Sequence, residues 1–296
     1  MSDHGILGAD APAKINRELR VGPRRADGYH EIRSRFVTID LADRIEAEES
    51  SRLDLVCEPA GLAGLPTDRS NLAARAALAL AETAGREPRV RLRLVKRIPA
   101  GAGLGGGSTD AAVTLRLLCR LWKLDVSEAE LARLAASLGS DVPFFLVGGE
   151  ADVGGRGERV EARPDEPSEN LVLVVPPFSI STAEVYAAFD RLGGASPLPD
   201  RLEIEAGGRF FGPNDLERAV VAVRPEMGAF LESGRRIAAE CAVTGSGSAI
   251  VLAGANAGGV KELVSRHTGS RAVSCRTLGR VAYRRLVEGV DRPPRA

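Results

Sequence analysis

The sequence predicts an α+β protein made of two units, and three observations carry that expectation. Short β-patterned runs alternate with apolar helical runs along its 296 residues. A glycine-dense loop at 99–109 stands between one such strand and one such helix. The texture changes after Gly148, where a Gly-rich stretch (152–159) and a Pro- and Glu-rich stretch (163–170) precede a second strand and helix series. A chain of this length suits one large or two modest domains. The change of texture puts a boundary near 160–168, dividing 1–162 from 163–296.

Residues 13–19 and 33–41 read as strands, the second carrying Phe36, Val37 and Ile39, with a turn-rich 22–28 between them. Residues 52–57 alternate Leu53, Leu55 and Cys57 in a half-buried strand pattern. The Ala- and Leu-rich 71–83, behind Ser70 as N-cap, predicts a helix. Val90, Leu92 and Leu94 alternate with Arg91 and Arg93, a strand that runs toward Pro99. Beyond the glycine loop, 111–121 is apolar at helical spacing and free of Gly and Pro. Ser127 and Glu130 match a capping box that opens a helix to Leu138. Gly139-Ser140-Asp141-Val142-Pro143 breaks it, and 144–147 reads as a strand. In the second series, 171–175 is a buried strand, 182–192 a helix and 193–208 a turn-rich connection. Helices at 215–223 and 226–234, a strand pair flanking 244–249, a helix at 257–267 and a closing strand at 271–275 complete it.

Composition narrows the function. Forty Lys and Arg balance forty Asp and Glu, so bulk charge gives no reason to expect nucleic acid or a membrane surface as partner. No apolar run approaches the roughly 18 residues of a membrane helix. Residues 1–10 lack the basic end and apolar core of a secretory leader, which points to the cytoplasm. Cys57, Cys119, Cys241 and Cys275 lie far apart with no CxxC pair, the pattern of reduced thiols. Three histidines (His4, His30, His267) argue against a His-rich metal site. Lysine occurs only at 14, 96, 123 and 261, so a Lys here is the unusual basic residue.

The loop Pro99-Ala100-Gly101-Ala102-Gly103-Leu104-Gly105-Gly106-Gly107-Ser108-Thr109 carries the strongest chemical signal. Glycines leave backbone N–H groups uncovered, and the following helix aims its positive end at the same place, which together make an anion cradle. The hydroxyls of Ser108 and Thr109 stand at the helix start, placed to cap it or to reach a phosphate or Mg²⁺. No Lys follows the glycines, so this is not a Walker loop. Several strands precede it and the acidic Asp125 lies beyond a helix, so it is not a Rossmann fingerprint.

This loop resembles the phosphate-binding motif of the GHMP kinases, the superfamily of galactokinase, homoserine kinase and mevalonate kinase. Further segments agree in the right order: Ala11-Pro12-Ala13-Lys14-Ile15-Asn16, Arg25-Ala26-Asp27-Gly28-Tyr29-His30-Glu31, Leu138 to Pro143, Asn214 to Glu217 and Thr244 to Ala249. The second is characteristic of one branch, whose acceptor carries a cytidine diphosphate. The resemblance implies an N-terminal βαβ-containing ATP-binding domain, a C-terminal ferredoxin-like α/β sandwich and an active site in the cleft between them. It implies transfer of the ATP γ-phosphoryl to an alcohol of that acceptor, with Mg²⁺, on the way to isoprenoid precursors, by a monomer or homodimer. Lys14 and Asp141 would be the catalytic pair. ATP would meet 99–109, Asn71 and Lys96, with Ser108 as a Mg²⁺ ligand. Asn16, Tyr29, His30, Thr182, Tyr186, Thr244 and Gly245 would surround the acceptor. Its cytosine would stack on Tyr29, with the His30 imidazole at its edge and Tyr186 opposite. Taken by itself, Lys14 reads more readily as an exposed strand-edge lysine, and Tyr186 equally as a core aromatic. Arg17 and Glu18 depart from the family, which has apolar residues there. The alternatives are another GHMP kinase, of homoserine or mevalonate type, and a non-catalytic nucleotide-binding protein on the same scaffold.

Overall fold

A computed structural model of the chain describes residues 5–59, 66, 68–206 and 209–292. Two long strands, β1 (Ile6–Arg24) and β2 (His30–Glu49), form an antiparallel hairpin that runs from Leu7↔Ala47 to Arg24↔His30. Both are longer than the sequence suggests. Polar residues such as Lys14, Asn16, Glu18 and Asp43 are buried along them and break the expected alternation. Register shifts between Pro12 and Lys14 and between Asn16 and Glu18 bend β1 at the residues of chemical interest.

β3 (Asp54–Glu58) lies parallel to β4 (Val90–Val95), and β4 runs antiparallel to the far half of β2. The near half of β2 pairs with β5 (Glu150–Gly155), which pairs with β6 (Arg159–Ala162). The sequence missed these two strands because the glycines at the end of β5 and in the turn before β6 resemble a loop. α1 (Leu72–Thr83) is capped by Asn71, not Ser70: its side chain accepts the Ala73 N–H at 2.9 Å. α2 (Gly106–Leu121) buries Ala111, Ala112, Leu115 and Leu118. α3 (Glu128–Leu138) is capped by Ser127, as expected. Residues 144–147 are not a strand but one helical turn, α4 (Phe144–Val147). Pro143 at its cap already has helical angles, and a four-residue apolar run carries no period to separate the two forms.

In the second half, β7 (Asn170–Val175), β8 (Glu240–Val243), β9 (Ile250–Ala253) and β10 (Arg271–Leu278) form an antiparallel sheet in the order β10-β7-β9-β8. α5 (Thr182–Arg191), α6 (Glu217–Val223), α7 (Glu226–Ile237) and α8 (Ala257–Arg266) accompany it. The end of β10 also pairs with β2, at Thr277↔Ile39 and Leu278↔Thr38, which joins the two sheets.

The sequence did not show the last two elements. α9 (Arg280–Val287) and β11 (Val290–Arg292) return to the first half, where β11 pairs with β1. Tyr283 of α9 is buried, and its hydroxyl donates to the Phe145 carbonyl. Its ring fills the space a Cβ at Gly148 would need. We propose that the chain divides at 162/163, where β6 ends. The four cysteines are unpaired, and no helix among the described residues is long and apolar enough to cross a membrane.

Candidate active site

The glycine loop closes one side of a cleft of about 900 Å³. It is stitched on both edges: the Lys14 N–H donates to the Leu104 carbonyl at 3.0 Å, and the Ala249 N–H to the Ala102 carbonyl at 3.3 Å. α2 starts at Gly106 with Gly105 at its N-cap and no side-chain cap, so its first amides are left to a ligand. Pro99 to Ser108 all line the cleft. Thr109 does not: it is fully buried and its hydroxyl has no partner, because the second α2 residue of the pair turns into the core. Gly103 shows why the loop needs glycine. Its φ is +77°, and a Cβ there would come within 2.3 Å of the Thr244 carbonyl oxygen. Gly103→Ala should raise KM for ATP about tenfold, from the left-handed strain alone, and ATP titration of the variant checks it.

Lys14 comes from β1 and Asp141 from the turn between α3 and α4. Lys14 is 4% exposed and its ammonium stands 3.4 Å from Asp141 Oδ2, a carboxylate that is 30% exposed at the cleft. The ammonium also donates to Asn16 Oδ1 at 2.8 Å and lies 4.4 Å over the Phe36 ring. Asn16 is fixed in turn. Its Nδ2 donates to Ser34 Oγ at 3.0 Å and its backbone N–H to Thr244 Oγ1 at 3.0 Å. Thr244, expected at the acceptor, is fully buried and absent from the cleft wall. It acts behind Asn16, because the turn that follows it presents Gly245 and Ser246 instead.

The opposite end of the cleft is aromatic. Tyr29, His30 and Tyr186 line it, with Thr182, whose hydroxyl lies 2.8 Å from that of Ser246. Tyr29 is half exposed at the hairpin tip, and the Arg156 guanidinium lies 5.1 Å from its ring centre. His30 and Tyr186 have ring centres 5.4 Å apart. Burial pushes the Tyr186 phenol well above its ordinary pKa, and the charge of Asp141 adds to the effect, so the group stays neutral. The His30 imidazole is not free to read a base edge as placed. Its Nδ1 meets the Gly22 carbonyl at 2.9 Å and its Nε2 meets Asp190 Oδ1 at 3.1 Å. Asp190 was missed in the sequence, although it follows Tyr186 by four residues on one helix face.

Two expected ATP contacts have structural duties. Asn71 caps α1, donates to the Pro66 carbonyl at 2.8 Å and does not line the cleft. Lys96 reaches the cleft floor, but its ammonium is bound between the buried carboxylates of Asp43 and Asp110. Burial opposes the charge on Lys96, yet the two carboxylates outweigh it and raise its pKa. Burial likewise raises the Asp110 carboxyl, against the pull of Lys96. The triad ties β2 and α2 together beneath the loop, and Asp43 also accepts the Ile98 N–H at 2.9 Å. Its partners were not legible because the three residues are scattered in the sequence. Among the described residues no cluster of three or more His, Cys, Asp or Glu could hold a metal by itself.

Known proteins resemble the chain as a whole. The family model for the GHMP kinases N terminal domain matches residues 71–149. The 4-diphosphocytidyl-2-C-methyl-D-erythritol kinase of Streptomyces avermitilis is 40% identical over 248 residues, 80% of this chain and 84% of that protein. That of Salinispora arenicola is 42% identical over 260 residues, 83% of this chain and 82% of its own. A crystal structure of 4-(cytidine 5'-diphospho)-2C-methyl-D-erythritol kinase superposes with a TM-score of 0.75 at 37% identity, covering 92% of this chain and 100% of that one. A homoserine kinase from Cytophaga hutchinsonii (TM-score 0.67, 17% identity, 94% and 96% coverage) shares the fold.

Proposed function

The chain belongs to the 4-diphosphocytidyl-2-C-methyl-D-erythritol kinases, within the GHMP kinases, and from that premise we propose how its cleft performs their reaction. It is an ATP-dependent small-molecule kinase. It transfers the γ-phosphoryl of ATP to the 2-hydroxyl of 4-diphosphocytidyl-2-C-methyl-D-erythritol and gives the 2-phosphate, in the non-mevalonate route to isoprenoid precursors.

The reading of the site rests on one observation above all: the Lys14–Asp141 pair, 3.4 Å apart, shares a single cleft with the glycine loop. The triphosphate lies along the amides of 101–107, with its γ-phosphoryl toward Lys14. The acceptor oxygen attacks that phosphorus, the bond to the ADP oxygen breaks, and Asp141 takes the hydroxyl proton. The proton moves late, since a loose phosphoryl transfer needs little nucleophile activation. Lys14 holds positive charge beside the oxygens of the group in transit. Tyr29 and Tyr186 sandwich the cytosine, with the His30 ring, held by the Gly22 carbonyl and Asp190, beside its edge. Gly245 and Thr182 wall the acceptor, while Asn16 and Thr244 hold Lys14 in line. Mg²⁺ fits this donor set as a partner of ATP: with no carboxylate cluster among the described residues to cage it, it would be held by the phosphates, water and the Ser108 hydroxyl. It would neutralise phosphate charge. We place the reaction in the cytoplasm.

An acceptor panel tests the reading. With ATP and Mg²⁺, ADP release should follow 4-diphosphocytidyl-2-C-methyl-D-erythritol and stay at background with homoserine and mevalonate. Turnover of either of those instead overturns the acceptor. ATP binding without ADP release from any acceptor overturns the kinase reading.

A further inference from the structure

Arg17 and Glu18 depart from the apolar pattern of the resembling family, and the structure gives them a place. Both are buried, on β1 at the bulge that follows Asn16. The Arg17 guanidinium has three acceptors from three separate segments. It donates to Glu150 Oε1 on β5 at 2.6 Å, to Glu166 Oε2 in the connection between the halves at 2.8 Å, and to the Phe210 carbonyl in the second half at 3.0 Å. Its plane also lies 4.5 Å from the Phe210 ring centre. Glu150 is itself buried, with Arg35 at 3.8 Å. Glu18 adds a second tie by accepting the Ile204 N–H at 3.1 Å.

The segment held in this way leads to the active-site wall. The Gly212 N–H donates to the Arg17 carbonyl at 2.9 Å, and the Leu19 N–H to the Pro213 carbonyl at 2.9 Å, so 212–213 lies along β1. The next residue, Asn214, uses its amide to donate to the carbonyls of Val243 and Gly245 at 2.9 and 2.8 Å. Gly245 faces Lys14, and Thr244 beside it bonds to Asn16. The path from Arg17 through 210–214 to Gly245 therefore returns to the strand it left, three residues from Lys14.

We propose that Arg17 is a positioning residue for the phosphoryl transfer: its three-way fork docks the 210–214 segment on β1 and so sets the distance between the 244–246 wall and the Lys14–Asp141 pair. An apolar residue could fill the same volume, but it could not bond a carbonyl and two carboxylates at once. Lys keeps the charge yet lacks the planar fork needed to span the three acceptors. The ATP loop is carried mainly by β1, β4 and α2, with the 244–249 turn on one edge only, so the effect falls more on alignment of the acceptor than on ATP affinity. This inference rests on Lys14 and Asp141 being the reacting pair.

The test is steady-state kinetics of Arg17→Lys and Arg17→Met on the full chain, with thermal melts to select a temperature at which each is folded. Both should lower kcat about tenfold or more, since a displacement near 1 Å at a reacting centre has effects of that size. KM for ATP should stay within about twofold of the wild type, a split that general loosening of the fold would not give. Rescue of kcat by Arg17→Lys to within about twofold, a folded Arg17→Met with unchanged kcat, or a parallel rise in KM for ATP overturns the proposal. Should both variants fail to fold, Glu166→Gln decides, because Glu166 is 55% exposed and its loss leaves the buried pair intact. Its kcat should fall about threefold with KM for ATP unmoved, and an unchanged kcat overturns the proposal. Absence of turnover in the wild type would fail the proposed function itself, whereas turnover that survives these substitutions fails only the role of Arg17.

Discussion

Asp141→Asn should bind ATP as the wild type does and turn over about 10²–10⁴-fold more slowly, the range expected for loss of a positioned general base. The substitution keeps the size of the side chain. The turn that carries it is held at both ends, by the C-terminus of α3 and by α4, whose Phe145 carbonyl accepts the Tyr283 hydroxyl. The ATP cradle lies on other elements, so nucleotide titration and kcat should separate cleanly. What changes is chemical: an amide cannot take the acceptor proton, and its charge no longer opposes Lys14 at 3.4 Å. Rapid-quench measurement of the phosphorylated product would exclude slow release as the cause. A kcat within about threefold of the wild type would remove Asp141 from the mechanism.

Lys14→Met should lower kcat/KM by at least about 10²–10³-fold, comparable to losing one preorganised donor at a developing charge. Met fills much of the volume beside Phe36 and removes the ammonium, so the change is electrostatic with modest repacking. Lys14→Arg should rescue little. The site holds a compact ammonium between Asn16 Oδ1 and Asp141, and a planar guanidinium is wider and directs its donors differently. Single-turnover rates for the three proteins would check this, and recovery by Arg would show that charge alone, without its placement, is enough.

These expectations depend on residues that were legible before the structure to very different degrees. The glycine loop was legible because its chemistry is local: amides, hydroxyls and a helix start lie in one stretch. Lys14 and Asp141 stand out only as parts of motifs, since neither residue type nor spacing says that positions so far apart meet. The structure brings them together because α2 packs against β1 and β2 and also against α3 and α4, whose connecting turn carries Asp141. Thr109, Asn71 and Thr244 were read as facing ligands because polar residues in a motif invite it. Each has its polar atoms turned inward, where a motif gives no direction. The buried triad of Lys96, Asp43 and Asp110 was invisible for the opposite reason: its members are separated in sequence, Asp43 on β2, Lys96 just past β4 and Asp110 in the first turns of α2. α4 was misread because four apolar residues have no period. α9 was missed because six of its eight residues are not buried core, and its one large anchor, Tyr283, has no partner nearby in sequence.

That last helix has a consequence for how the molecule is made. β1 is synthesised before the other described strands, and the strand that completes its outer edge, β11, after all of them. The Tyr283 plug under α4 arrives equally late. Domains generally fold as units during synthesis, in order of emergence. Here a nascent chain can assemble the ATP loop and the hairpin early, but it stays unsealed along β1 until β11 has been made. The four-strand sheet of the second half is therefore synthesised in full while the first half still waits for its edge strand.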